Sequence, residues 1–209
     1  MDVSDGVTKE QQKYVTEQFE KRLKPTTVQA EAAVRVLLEY MGEDPLREGL
    51  QETPARVVRA WSEYCSGYSS DPVTVLKKTF ENPEEYSEPV VLRDISFVSH
   101  CEHHLAPING FADIAYIPSE RVVGISKIAR VVECFARRLQ TQETMTAQIA
   151  NCIQNNLMPA GTAVRTRATH ACMTNRGVCK PGTLMTATAF KGIFDKDPTL
   201  KSQFLSGQI

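Results

Sequence analysis

The sequence predicts an α+β fold, an antiparallel β-sheet with a pair of helices on one face. Strand-like runs come as two pairs flanking two helical stretches, so the elements follow in the order β-β-α-α-β-β. The first of those helical stretches carries the clearest apolar stripe in the chain: Ile128, Val131, Val132, Phe135 and Leu139. No repeat or low-complexity tract interrupts the pattern, and 209 residues are enough to bury one sizeable core with a helical extension before it.

Residues 1–25 are polar, with a weak helical pattern around Tyr14, Val15 and Phe19 that Pro25 stops, and are expected to form an arm. An N-terminal helical region is expected over 26–88. Within it, residues 27–41 predict a helix with Val34, Leu37, Leu38 and Met41 on one face and Gly42 at its end. Thr53-Pro54 starts a second helix, a capping hydroxyl followed by a proline whose missing N–H costs nothing there. Val57, Val58, Trp61 and Tyr64 form its expected buried face. Residues 66–88, rich in Ser, Gly, Asp, Asn, Pro and Glu, are expected to be mostly surface loop.

The main domain is expected over 89–209. Residues 90–98 and 111–117 predict the strands of an antiparallel hairpin, the second closed by Pro118. Residues 126–139 form the striped helix, with Lys127, Arg130, Cys134 and Arg138 on its other face. A second helix over 142–157 ends at Pro159-Ala160-Gly161. Residues 163–169 and 184–190, rich in Thr, Ala and Val, predict two more strands, and Asp197-Pro198 starts a short closing helix.

Bulk properties narrow the class. Apolar residues make up 42% and charged residues 23%, ordinary values for a globular domain. A formal net charge of −1 lacks the basic excess of a nucleic-acid binder, so an anionic ligand must be met by a local cluster. The start, Met1-Asp2-Val3-Ser4-Asp5, has neither basic nor apolar regions of a signal peptide. Residues 144–164 are free of charge but too polar to span a bilayer. Six cysteines without a secretion signal point to a reducing, cytoplasmic setting in which thiols serve as ligands or core fillers.

Two short stretches read as one metal site, Cys101-Glu102-His103-His104 and His170-Ala171-Cys172. Of the four histidines in the chain, three lie in these stretches and the fourth, His100, adjoins Cys101. Thiolate and imidazole are the usual zinc ligands. Cys101 and His104 are spaced to reach one ion from a tight turn, and Cys172 could complete a three-ligand set of the kind catalytic zinc uses. Cys179 is the alternative, a fourth thiolate that would close the site as structural. His103 and His170 are then spare imidazoles suited to proton transfer near neutral pH.

The motifs taken together resemble the GTP cyclohydrolase I family. The resemblance runs from about Asp44 to Leu205 and rests on Asp44-Pro45-Leu46-Arg47-Glu48-Gly49-Leu50, Glu52-Thr53-Pro54-Ala55-Arg56-Val57, Ser99-His100-Cys101-Glu102-His103-His104-Leu105, Val123-Gly124-Ile125-Ser126-Lys127-Ile128-Ala129-Arg130, Arg137-Arg138-Leu139-Gln140-Thr141-Gln142-Glu143, and His170-Ala171-Cys172 with Arg176-Gly177-Val178. It implies the tunnelling fold, a homodecamer with active sites between subunits, and Zn2+ held by Cys101, His104 and Cys172. It implies His103 and His170 as acid–base groups and Glu143, with Gln142 beside it, as the reader of guanine. Arg56, Ser126, Lys127, Arg130 and Arg176 match the residues around the triphosphate.

The implied reaction adds water to C8 of GTP, opens the imidazole ring, releases formate and recloses the product as 7,8-dihydroneopterin triphosphate. Taken singly, Lys127, Arg130 and Arg138 would be a solvated helix face, and Glu143 a carboxylate favoured at a helix start. Two other readings remain in the same fold. One is a non-catalytic relative that binds pterin or nucleotide, against which intact His103 and His170 argue. The other is a pterin synthase, whose zinc is held by three histidines. No GxxxxGK[ST] loop is present, consistent with an enzyme that keeps the triphosphate intact.

Overall fold

The computed structural model describes residues 24–82 and 85–209. The expected arm therefore lies, up to residue 23, outside the described residues. The chain forms two compact units, divided between Trp61 and Ser62.

In the first unit, α1 (Thr27–Tyr40) starts with a reciprocal cap: Thr26 accepts from the Gln29 N–H while the Gln29 side chain accepts from the Thr26 N–H. Its expected apolar face is only partly used. Leu38 is buried, but Leu37 and Met41 are 54% and 61% exposed, because a unit this small has too few partners to cover a full stripe. A 3-10 turn at Glu48–Leu50 precedes α2 (Thr53–Tyr64), where Pro54 is buried.

The second unit departs from the expected loop at its outset. A 3-10 turn at Ser66–Ser69 leads to α3 (Pro72–Leu76) and to β1 (Thr79–Glu81). Asp71 caps α3 by accepting from the Val73 and Thr74 N–H groups, with Pro72 at the first position, and Leu76 is fully buried. The strands β2 (Val90–Cys101) and β3 (Pro107–Ile117) form the hairpin, both longer than the apolar alternation suggested. Then come β4 (Arg121–Val123), which pairs with β1, α4 (Ile125–Ala136), β5 (Leu139–Gln140) and α5 (Gln142–Leu157). The chain closes with β6 (Gly161–His170), α6 (Ala171–Thr174), β7 (Met185–Gly192), α7 (Ile193–Lys196) and α8 (Pro198–Ser206).

The main sheet has the order β5-β2-β3-β6-β7. It is antiparallel except for β5, whose two residues run parallel to His100 and Cys101. This is the α+β arrangement the sequence predicts, with one short parallel edge added. Alternation along β3 assigns its faces: Ala112, Ile114 and Tyr116 join Ile128, Val132, Met145, Ile149 and Ile153 of α4 and α5 in the principal core. Each fully buried Ile or Met there contributes about 1.5–3 kcal/mol of hydrophobic stabilisation. On the other face Ala115 and Ile117 pack with Phe194 and Phe204 of the closing helices. At Gly110 β3 and β6 leave no room for a side chain: a Cβ there would sit 2.3 Å from the Arg167 carbonyl oxygen and 2.5 Å from the Ala168 Cβ.

On that second face, two residues before Ala115, lies a buried carboxylate that no sequence pattern announces. Asp113, with its side chain 1% exposed, accepts from Arg165 Nε and Nη2 at 2.9 and 2.6 Å and from the Asp94 N–H at 3.0 Å. Asp94 has a φ of +55° within the register shift of β2 between Leu92 and Ile95, so this carboxylate ties down a bulge. Burial pushes the Asp113 carboxyl up, but the hydrogen bonds from Asp94 and Arg165 and the charges of Arg167 and Arg165 outweigh it and hold it below the usual value. A carboxyl depressed in the folded state stabilises the protein above the ordinary carboxylate pKa of about 3.9, and that contribution is lost as pH falls through the depressed value. Asp113→Asn is expected to cost about 3 kcal/mol at pH 7 and to flatten the loss of stability below about pH 4. Thermal melting across pH 2–8 checks this; a variant that melts like the wild type throughout would remove the carboxylate from the account.

Candidate active site

The hairpin between β2 and β3 ends in a tight turn that carries three of the candidate side chains. Cys101 N–H donates to the Ala106 carbonyl and Leu105 N–H donates to the Cys101 carbonyl, each at 2.8 Å. Leu105 closes the turn with a φ of +54°, a left-handed conformation that costs a non-glycine residue of order 1–3 kcal/mol. In this turn His103 Nδ1 and His104 Nδ1 lie 3.8 and 3.9 Å from Cys101 Sγ.

The second half of the site arrives on β6. Its ladder with β3 sets His170 opposite Ile108, while Pro107 pairs back to His100. The turn carrying Cys101 and His104 and the end of β6 are therefore neighbours, and α6 bends Cys172 into place. Ligand atoms of Cys101, His104 and Cys172 all lie within 4.8 Å of one another. Burial and the neighbouring Cys101 sulfur push the Cys172 thiol up, because two adjacent thiolates repel. A cation between them reverses that logic, and two thiolates with one imidazole form a donor set suited to zinc. Cys179, on the exposed loop after α6, is not in this cluster.

The other candidates fall into three groups. His170 is partly buried, and its Nε2 lies 2.7 Å from Gln142 Oε1. Burial pushes its imidazole below the usual value, partly offset by the Glu143 carboxylate. His103 is exposed, with Glu102 Oε1 3.7 Å from its Nε2. Glu143 stands exposed in the first turn of α5, where the helix dipole favours a negative charge. Gln142 beside it is wholly buried.

Ser126 and Lys127 lie in the first turn of α4, which starts at Gly124 without a side-chain cap, and Arg130 follows one turn on. Arg130 lines a cavity of about 230 Å³ with Glu133, Cys134, Arg137 and Ser66 among its walls. Cys134, on the side of α4 away from its apolar stripe, is buried there as a small core-filling thiol, since α3 and the turn before it cover that side of α4. Arg176 Nη1 approaches His104 Nε2 at 3.4 Å, so one of the candidate phosphate cations reaches the candidate metal ligands. Arg56 lies in the first unit, exposed and paired with Glu52.

Two residues near His170 were not singled out from the sequence, Thr146 and Thr166. Both are buried and bonded to Gln142. A signal existed for one of them: Gln142 and Thr146 are spaced i,i+4 on the same side of α5 as Met145 and Ile149, polar groups on an apolar stripe.

Cys101→Ala and Cys172→Ala are each expected to weaken zinc binding by more than the roughly 10–100-fold typical of losing a group that only supports a ligand, and Cys179→Ala to leave it unchanged. Metal analysis after dialysis against a weak chelator checks this. Full zinc retention in Cys172→Ala would put the metal elsewhere.

The sequence profile of the GTP cyclohydrolase I family matches residues 30–208. Similar curated proteins include GTP cyclohydrolase 1 of Maricaulis maris, 54% identical over 182 residues covering 87% of this chain and 89% of that protein. The GTP cyclohydrolase 1 of Hyphomonas neptunium is 53% identical over 183 residues, 88% of this chain and 89% of its own. Among solved structures, an archaeosine synthase QueF-Like in the apo form is 16% identical with a TM-score of 0.42, covering 50% of this chain and 93% of its own, too weak a likeness to support an argument.

Proposed function

This chain belongs to the GTP cyclohydrolase I family, and we propose that it is the zinc-dependent enzyme that converts GTP and water to formate and 7,8-dihydroneopterin triphosphate. The observation that carries this reading is the convergence of Cys101, His104 and Cys172, with His103 beside Cys101 and His170 two residues before Cys172. Cys101, His104 and Cys172 would hold the metal, which when bound acts as a Lewis acid that makes water a competent nucleophile near neutral pH.

The chain's own groups supply the rest. Glu143 accepts the N1–H and 2-amino hydrogens of guanine, a pairing that one carboxylate can make with two oxygens. His170 and His103 deliver and remove protons as the purine ring opens. Lys127, Arg130 and Arg176 meet the triphosphate, with Arg56 as the further cation of the set. The free N–H groups at the start of α4, where Ser126 stands, favour the same anion.

The likeness to the family also supports a tunnelling-fold homodecamer with sites between subunits and catalysis within 89–209. Six free cysteines suit a cytoplasmic enzyme, and no helix among the described residues is long and apolar enough to cross a membrane.

The test is incubation with GTP while pterin absorbance and formate are followed together, before and after chelation and again after zinc is restored. Both products are expected, lost with chelator and regained with zinc. GTP binding without formate from zinc-loaded protein would favour the non-catalytic relative.

A further inference from the structure

Gln142 has a hydrogen-bond pattern whose directions chemistry fixes completely. Its Nε2 lies 3.0 Å from the Thr166 carbonyl, 3.0 Å from Thr166 Oγ1 and 3.2 Å from the Met185 carbonyl. Carbonyl oxygens only accept, so the amide nitrogen must face them and the amide oxygen must face away. That oxygen, Oε1, lies 2.7 Å from His170 Nε2. It too only accepts, so His170 Nε2 carries a hydrogen.

The threonines lock the amide in this sense. Thr146 Oγ1 donates to the Gln142 carbonyl at 2.6 Å. Its hydrogen being spent, the 2.7 Å contact between Thr146 Oγ1 and Thr166 Oγ1 must have Thr166 as donor, which leaves Thr166 to accept from Gln142. Gln142 and Thr166 are 0% exposed and Thr146 is 1% exposed, so water offers no competing arrangement.

We propose that Gln142 is a positioning residue that holds His170 as its Nε2–H tautomer and leaves Nδ1 as the atom through which His170 exchanges protons. The proposal rests on the acid–base role given to His170 above. A proton taken up at Nδ1 forms the imidazolium, and the Nε2–H bond to Oε1 strengthens with the charge. Nδ1 then gives that proton to the purine nitrogen, and the imidazole returns to its starting tautomer. The Nε2 hydrogen stays throughout, because an amide oxygen is too weak a base to take it. Gln142, with its amide already engaged, acts on the reaction through His170 and not on the guanine.

The test uses full-length, zinc-loaded protein with GTP as substrate and formate as readout. Gln142→Leu keeps the side-chain bulk and removes the acceptor. Its kcat is expected to fall about 100-fold, with KM for GTP within about threefold of wild type and zinc content unchanged. Combined with His170→Ala, it is expected to add no further loss beyond His170→Ala alone. A raised KM with unchanged kcat, or losses that multiply in the double variant, would overturn the proposal. If Gln142→Leu does not fold, Thr166→Val decides: a kcat several-fold lower at unchanged KM supports the lock, and wild-type kcat overturns it. Wild-type protein that releases no formate overturns the catalytic reading beneath the proposal, whereas an active wild type with an equally active Gln142→Leu removes the positioning role alone.

Discussion

The ladder between β3 and β6 holds both the core and the candidate site in place. Its register runs from Ile108 opposite His170 to Ile117 opposite Gly161 without a break. Because β-strand side chains alternate, a slip of one residue would turn Ala112, Ile114 and Tyr116 away from α4 and α5 and expose the core they complete. The same slip would part the turn carrying Cys101 and His104 from the segment carrying Cys172. Core packing and the Cys101, His104 and Cys172 cluster are thus fixed by one pairing, and Gly110 permits it by leaving no Cβ between the strands.

Around that ladder the molecule uses two kinds of polar order. At one position on β3, Asp113 gathers Arg165, Arg167 and the Asp94 backbone, a charged cluster that pins the bulge in β2. Near the end of β6, Gln142, Thr146 and Thr166 form a neutral set buried beneath His170. The first kind holds backbone shape and the second holds a side chain in one hydrogen-bonding state. Buried polar groups cost stability unless every partner is supplied, and in the neutral set each hydrogen has a defined acceptor.

The chemistry-bearing residues were the most legible part of the sequence. Cys101, His104 and Cys172 stood out because cysteine and histidine are scarce and their bunching has few structural explanations. The hairpin and the helices α4 and α5 were legible because alternation and a 3.6-residue stripe directly report which faces are buried. Less legible was anything set by partners distant in the chain. α3 hid in a polar stretch although Asp71-Pro72 is a sound helix start, and β5 is two residues long and exists only through its pairing with His100 and Cys101. Asp113 leaves no trace in the pattern, since a lone polar residue on a strand is ordinarily solvated, whereas Gln142 and Thr146 show only as two polar positions on the apolar side of α5.

Two sulfurs and one imidazole would hold a metal here with one position left for exchange. X-ray absorption at the zinc edge of the purified protein tests it most directly. Two sulfur neighbours at about 2.3 Å and two nitrogen or oxygen neighbours at about 2.0–2.1 Å are expected. A shell of three sulfurs would bring Cys179 into the site and make it a closed structural centre, contradicting the account.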